Sequence, residues 1–150
     1  MKIKELTIDE MLKLKAVVLY VINKCEEIDY FHLFKILYFA DRAHYAKYGR
    51  RIIQDTFCAL PKGPVPSVLF DAIKVATKQA TAVNNSPLSI ISNSIESPDS
   101  AYYFILSTKE LPDMEELSQS DIDCLDASIK ENKSVDIDTL STKSHDEAWR

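Results

Sequence analysis

Apolar residues recur at Met11, Leu14, Val18, Val21 and Ile22, while Lys13 and Lys15 stand off that stripe. Steps of three and four are the period of an amphipathic helix. Upstream, Thr7 and Glu10 form a T-x-x-E capping box, with Leu6 and Met11 in the positions of a hydrophobic staple. The pattern predicts a first helix over about 8–24. A second runs from Asp29, an N-cap residue type, to Tyr48. Leu33, Ile36, Leu37, Ala40, Ala43 and His44 share one of its faces. Phe34, Tyr38, Tyr45 and Tyr48 line another, with Asp41 and Arg42 between. A helix apolar on nearly every side belongs in the middle of a bundle. Gly49 then suits the left-handed residue that closes a helix.

The segment DTFCAL (55–60) has the β-branched and aromatic content of a short, buried strand. PKGPVPS after it predicts an end to regular pairing, because proline has no amide hydrogen. Pro64 or Pro66 suits the first turn of a third helix carrying Leu69, Ile73, Ala76 and Ala80. Gly63 is pushed out of the α region by Pro64 and lets a compact turn press on a neighbouring backbone. Residues 81–100 are rich in Ser and Asn, with an apolar patch at Leu88–Ile91. They read as a mobile loop, or as one arm of a hairpin completed by AYYFILS (101–107). After Pro112, Ser118 caps a fourth helix with Asp121 at its third position and a Leu117/Ile122 staple. Ile122, Leu125 and Ile129 form its apolar stripe. A short helical piece at Ile137–Leu140 follows, and Ser144 with Glu147 makes another capping box. The expected architecture is mainly α, of α+β type. It is a one-domain bundle of about five helices with a small β-hairpin or short antiparallel sheet.

Composition narrows the class. With 150 residues, 46% apolar and 27% charged, the chain is expected to fold as one soluble globular domain. Its longest apolar runs fall far below the roughly 20 residues of a membrane span, and no basic-then-apolar leader opens it. Three scattered cysteines, Cys25, Cys58 and Cys124, without a C-x-x-C pair, fit a reducing compartment. They read as core filler, and a cytoplasmic location is expected. The net charge of −5 hides a split: residues 1–95 hold 13 Lys/Arg against 9 Asp/Glu, and residues 96–150 hold 5 against 14. An acidic C-terminal third argues against tracking a phosphate backbone. The segment 113–126 is either a solvated helix face or a surface that steers a basic partner protein.

Candidate chemistry is thin. D-R-A-H places Asp41 and His44 one helical turn apart, and His145 with Asp146 and Glu147 would complete a metal site. Yet His44 shares its face with Leu33, Leu37 and Ala40, which favours a neutral, hydrogen-bonded core histidine. Cys58 would need His44 or His145 to become a nucleophile, and nothing beside it lowers its pKa. Two isolated glycines cannot make a phosphate-cradling loop. Lys47, Arg50 and Arg51 beside tyrosines suggest nucleic-acid stacking, but basic residues at a helix C-terminus also answer the macrodipole.

The blocks FKILYFADRAHYAKYG (34–49), DTFCALPKGPVPSVLFDAIK (55–74), LSQSDIDCLDASI (117–129) and LSTKSHDEAW (140–149) together resemble the Panacea domain. This is the SocA-like antitoxin family, which includes phage-associated proteins. The resemblance runs from about residue 12 to the C-terminus and implies a mainly helical domain with a small β element. It implies no enzymatic activity and a cognate toxin protein as partner, neutralised by direct contact with this bacterial or phage-borne protein; the residues themselves lead to no expected metal or cofactor. Some members deliver the toxin to a protease instead. Carried over, Tyr38, His44, Tyr48, Gly49, Phe57, Ala59, Gly63, Pro64, Val65 and Trp149 read as mostly structural. Asp41, Arg42, Ser67, His145 and Glu147 are the partner-facing candidates, and aromatic residues near the GPVPS turn would anchor the contact. Two readings stand beside this one: a small metal-dependent hydrolase using Asp41, His44 and His145, and a DNA-binding regulator.

Overall fold

The computed structural model describes residues 5–83, 86–98, 102 and 104–145. Helix α1 spans Ile8–Cys25. Its start is the expected capping box: Thr7 Oγ1 accepts from the Glu10 amide at 3.1 Å, and Glu10 Oε1 accepts from the Thr7 amide at 3.0 Å. It stops where Glu26 adopts a positive φ of 66°. Every residue from Ala16 to Ile22 is buried. The all-round burial that the sequence assigns to the second helix thus belongs as much to the second half of α1. Further toward its start, Lys13 and Lys15 leave the core to pair with Asp121 at 2.6 Å and Glu110 at 2.7 Å.

Strand β1 (Ile28–Asp29) leads directly into α2 (Tyr30–Tyr48), whose N-cap Asp29 accepts from the His32 amide at 2.9 Å. Gly49 closes α2 in the left-handed region at φ 73°, donating its N–H to Tyr45 O. The buried face of α2 includes Leu33, Ile36, Leu37, Ala40 and His44, but Ala43 is exposed together with Tyr45 and Tyr48.

The chain then forms a two-stranded antiparallel ribbon, β2 (Phe57–Leu60) against β3 (Gly63–Pro66), around a turn at Pro61–Lys62. This corrects the expectation that PKGPVPS ends regular pairing. The reason is parity. The Ser67 amide donates to Thr56 O at 2.9 Å, in register with Phe57↔Pro66 and Leu60↔Gly63. In an antiparallel pair only alternate amides face the partner strand. Residues 63, 65 and 67 hold those positions, and the prolines at 64 and 66 hold the outward ones, where no amide is missed. The buried look of DTFCAL is corrected as well: Phe57 and Cys58 are half-buried, Ala59 and Leu60 exposed, and only Asp55 is fully enclosed. Cys25 and Cys124 fill core positions, whereas Cys58 does not.

Helix α3 covers Ser67–Ala76, with Pro66 as its N-cap rather than within its first turn. It buries Leu69 and Ile73 but ends before Ala80. Thr77 Oγ1 bonds back to Ile73 O at 2.8 Å, and Lys78 takes a positive φ of 63°, which turns the chain away. A short helix α4 (Ser89–Ser92), not expected from the sequence, packs on α1 and α3 through the predicted apolar patch. The hairpin expectation holds in shorter form: β4 (Ile95–Glu96) pairs antiparallel with β5 (Ile105–Thr108). Strand β1 joins β5 on the other side, giving the order β1-β5-β4.

A 3-10 turn at Met114–Glu116 leads to α5 (Gln119–Asn132), which carries the predicted Ser118/Asp121 capping box. Helix α6 (Ile137–Ser144) follows, capped by Asp136. Ser144 is its last residue and donates to Ser141 O, while Glu147 and Trp149 lie outside the described residues. The assembly is α+β. Helix α1 is packed by α4, β5, α2 and α5, and α2 packs most extensively on α5 and also on β3 and α6.

The two glycines differ in what a side chain would meet. A Cβ on Gly49 would find open space, so Gly49→Ala is expected to cost about 1 kcal/mol, the ordinary left-handed penalty. Gly63 has φ 112°, and a Cβ there would collide with Lys35 Nζ and lie 2.5 Å from Ser144 Oγ. Gly63→Ala should therefore lose clearly more, about 2–4 kcal/mol, in urea unfolding measured beside the Gly49 variant.

Candidate functional site

The motif D-R-A-H works as a clamp on the segment that follows α2. Asp41 and His44 lie one turn apart, on the same face. Asp41 Oδ1 accepts from the amides of Ile52 at 2.7 Å and Ile53 at 3.2 Å, and Oδ2 accepts from Arg51 Nε at 2.6 Å. Ile52 and Ile53 are buried, so their amides enter the interior away from water and need an acceptor. His44 is fully buried, and its Nδ1 donates to Arg50 O at 2.7 Å. That carbonyl can only accept, which places the proton on Nδ1. Nε2 meets Ser120 Oγ at 2.9 Å and lies 3.4 Å from Asp121 Oδ1.

Serine, histidine and aspartate are thus close together, but not in relay order. A hydrolytic triad needs the carboxylate on the ring nitrogen opposite the serine. Here Ser120 and Asp121 both approach Nε2, and a main-chain carbonyl holds Nδ1. Asp121 is itself occupied: Lys13 Nζ donates to its Oδ2 at 2.6 Å, and the Ser118 amide donates to the same oxygen at 2.9 Å. Burial would raise its pKa, but the Lys13 and Ser118 hydrogen bonds outweigh that and hold it below the usual value. Asp41, His44 and His145 do not form a group able to hold a metal; no such group occurs among the described residues.

A second buried carboxylate lies in the segment expected to be apolar. Asp55 accepts from the amides of Val68 at 3.0 Å and Leu69 at 2.9 Å, and from Ser67 Oγ at 3.3 Å. Pro66 brings no capping side chain to α3, so Asp55 caps that helix from across the ribbon. Burial pushes its pKa up, against the lowering effect of these hydrogen bonds. Ser67, a partner-facing candidate, therefore points inward to Asp55.

Some of the remaining candidates cluster, and the others stand apart. Tyr38, Asp41, Arg42 and Phe57 come together with Tyr45 and Arg51 around an open depression of about 290 Å³. Its rings and cations are interleaved. Tyr38 meets Phe57 edge-on at 5.4 Å, the Arg42 guanidinium lies 5.5 Å from the Tyr38 ring, and Arg51 lies 5.5 Å from Phe57. Tyr48 packs its ring 4.7 Å from His44. Ala59 pairs with Pro64 and Cys58 with Val65 in the ribbon. His145 is the C-cap of α6, its amide donating to Ser141 O and Thr142 O.

Lys35 was missed by the sequence reading. It sits between Phe34 and Ile36 on α2, is 3% exposed, and lowers its pKa to about 8 through burial. Its Nζ donates to Pro64 O at 3.4 Å, a long contact. The available signal was a lysine on a helix whose neighbours are apolar on every side. The acidic segment 113–126 is internal at Asp121, which is buried, while Asp126 is exposed and accepts from Tyr20 OH at 2.5 Å. Glu115 and Asp123 remain exposed.

A family model described as antitoxin SocA-like, Panacea domain, matches residues 33–150. The chain belongs to the SocA-like Panacea family. Among curated proteins and among solved structures there is no significant match. The match opens at Leu33, within α2 and later than the start near residue 12 expected from the sequence blocks. The clamp, ribbon, Asp55 cap and capping box of α5 all fall within the matched Panacea segment, whereas α1 precedes it. In this Panacea domain the polar residues of the motif are spent largely on main-chain groups. No helix among the described residues is long and apolar enough to cross a membrane.

Two measurements follow. Asp41→Ala leaves the Ile52 and Ile53 amides without an acceptor and should cost about 2–4 kcal/mol in denaturant unfolding. Asp41→Asn keeps an acceptor oxygen and should lose less than half as much. Lys35→Met should raise stability near pH 7 by about 1–3 kcal/mol, because it removes a buried ammonium. The folded-state pKa is the lower one, so the penalty is full below about pH 8 and fades as pH rises toward the unfolded value of 10.5. The advantage of the variant in thermal unfolding should shrink over that window.

Proposed function

We propose that this protein is the antitoxin of a toxin–antitoxin pair and neutralises its cognate toxin by direct contact, without chemistry of its own. The observation that carries this reading is the family match over residues 33–150. The geometry supports it: Asp41, His44, Asp55 and Asp121 are engaged in holding the fold together. What is left for function is surface, including the aromatic and cationic depression around Tyr38 and Arg42 and the exposed apolar side chains Phe31, Tyr45 and Leu60. Large aromatic and arginine side chains are the residues that anchor protein interfaces.

The test is co-expression with the product of the adjacent reading frame. Growth arrest by that product alone, relieved by this protein with the toxin still abundant, is the expected result. Relief accompanied by disappearance of the toxin would instead indicate delivery to a protease. Arrest that this protein does not relieve would refute the antitoxin reading.

A further inference from the structure

An apolar groove runs beside the N-terminal half of α2. Its walls are Tyr30, Phe31 and Phe34 of α2, Phe70 of α3, and Leu60 and Val65 of the ribbon, and it encloses about 280 Å³. Phe31 and Leu60 remain 40% and 41% exposed at its rim. The rings form a continuous surface: Tyr30 lies 4.7 Å from Phe31 and 5.5 Å from Phe34, and Phe34 meets Phe70 edge-on at 5.5 Å. Small-molecule sites usually enclose roughly 300–1,000 Å³. The groove is nearer the size of one large side chain and its neighbour.

Lys35 lines the same groove while being 3% exposed. Among the described residues its one hydrogen bond is to Pro64 O, at 3.4 Å, which leaves two of its three donor positions unused there. Burial is the cause that shifts its titration, and no carboxylate among the described residues opposes the shift. A buried ammonium without a counter-ion is costly, and a ligand that brings a carboxylate relieves that cost. Lys62 adds a second positive charge at the rim. Apolar walls with a cation enclosed among them define the complementary chemistry.

Resting on the antitoxin reading above, we propose that this groove docks a segment of the toxin in which a large apolar side chain stands beside an acidic one. The apolar side chain fills the space between Phe31, Phe34 and Phe70, and the carboxylate pairs with Lys35 Nζ.

The probe is the purified product of the adjacent reading frame, titrated calorimetrically into the full chain and into variants. Lys35→Met and Phe31→Ser should each weaken binding at least about tenfold, while Val83→Ser, an exposed position away from the groove, should leave it unchanged. Carbodiimide treatment of the complex should join Lys35 Nζ to a partner carboxylate as an amide, located by mass spectrometry at an acidic side chain next to an apolar residue. Unchanged affinity in folded Lys35→Met and Phe31→Ser would overturn the groove assignment while leaving the antitoxin reading standing. Coupling of Lys35 to a terminal carboxylate or to no site would also overturn it. If the wild-type chain neither relieves arrest nor binds the toxin, both readings fall together.

Discussion

Main-chain amides that enter a protein interior without a helix or ladder carbonyl to bond need an acceptor, and here buried carboxylates supply it. Asp41 serves Ile52 and Ile53, Asp55 serves Val68 and Leu69, and Asp121 serves Ser118. Each ties two parts of the chain that neither hydrophobic pattern nor strand pairing would hold in register. Through Asp41 the segment after α2 returns to the core. Through Asp55 the ribbon is fixed to the start of α3, and through Asp121 and Lys13 helix α5 is fixed to α1. Removing one such acceptor strands donors that water cannot reach, so the arrangement is more sensitive to loss of a partner than to loss of an equal apolar area.

What was legible in the sequence was local. The capping boxes at Thr7 and Ser118, the Asp29 cap and the left-handed Gly49 all appear as expected, because each depends on residues within one turn of each other. The family resemblance was legible too, and its blocks fall on α2, the ribbon with α3, α5 and α6. What was hidden depends on distant partners. Asp55 lies in an apolar string, and only the folded chain brings Val68 and Leu69 to it. The rule that proline ends pairing fails at Pro64 and Pro66 because it takes no account of which way an amide faces. Strand β1 and helix α4 are too short to produce a period, so their existence rests on β5 and on the underside of α1 and α3. Of the partner-facing candidates, Asp41 and Ser67 turn inward, whereas Arg42 lies over the rings of Tyr38 and Phe39.

This division separates the motif from whatever the surface meets. The polar motif residues hold main-chain groups in place, a task independent of what the surface meets. Recognition, on the proposed function, falls to side chains such as Phe31 and Leu60, whose replacement would alter the partner surface without disturbing the Asp41, Asp55 or Asp121 networks. Lys35 joins the two tasks, since it belongs to α2 yet faces the groove.

The outward prolines of the ribbon have a consequence of their own. A strand margin packed against helices ordinarily buries amides that no ladder reaches, and each one left without an acceptor is costly. Along β3 the amide positions that would point outward are those of Pro64 and Pro66, which have no hydrogen to offer. That margin lies against α2 and α6, where the Pro64 carbonyl accepts from Lys35 Nζ, so the ribbon can be laid on the helices without burying a donor that nothing there would satisfy.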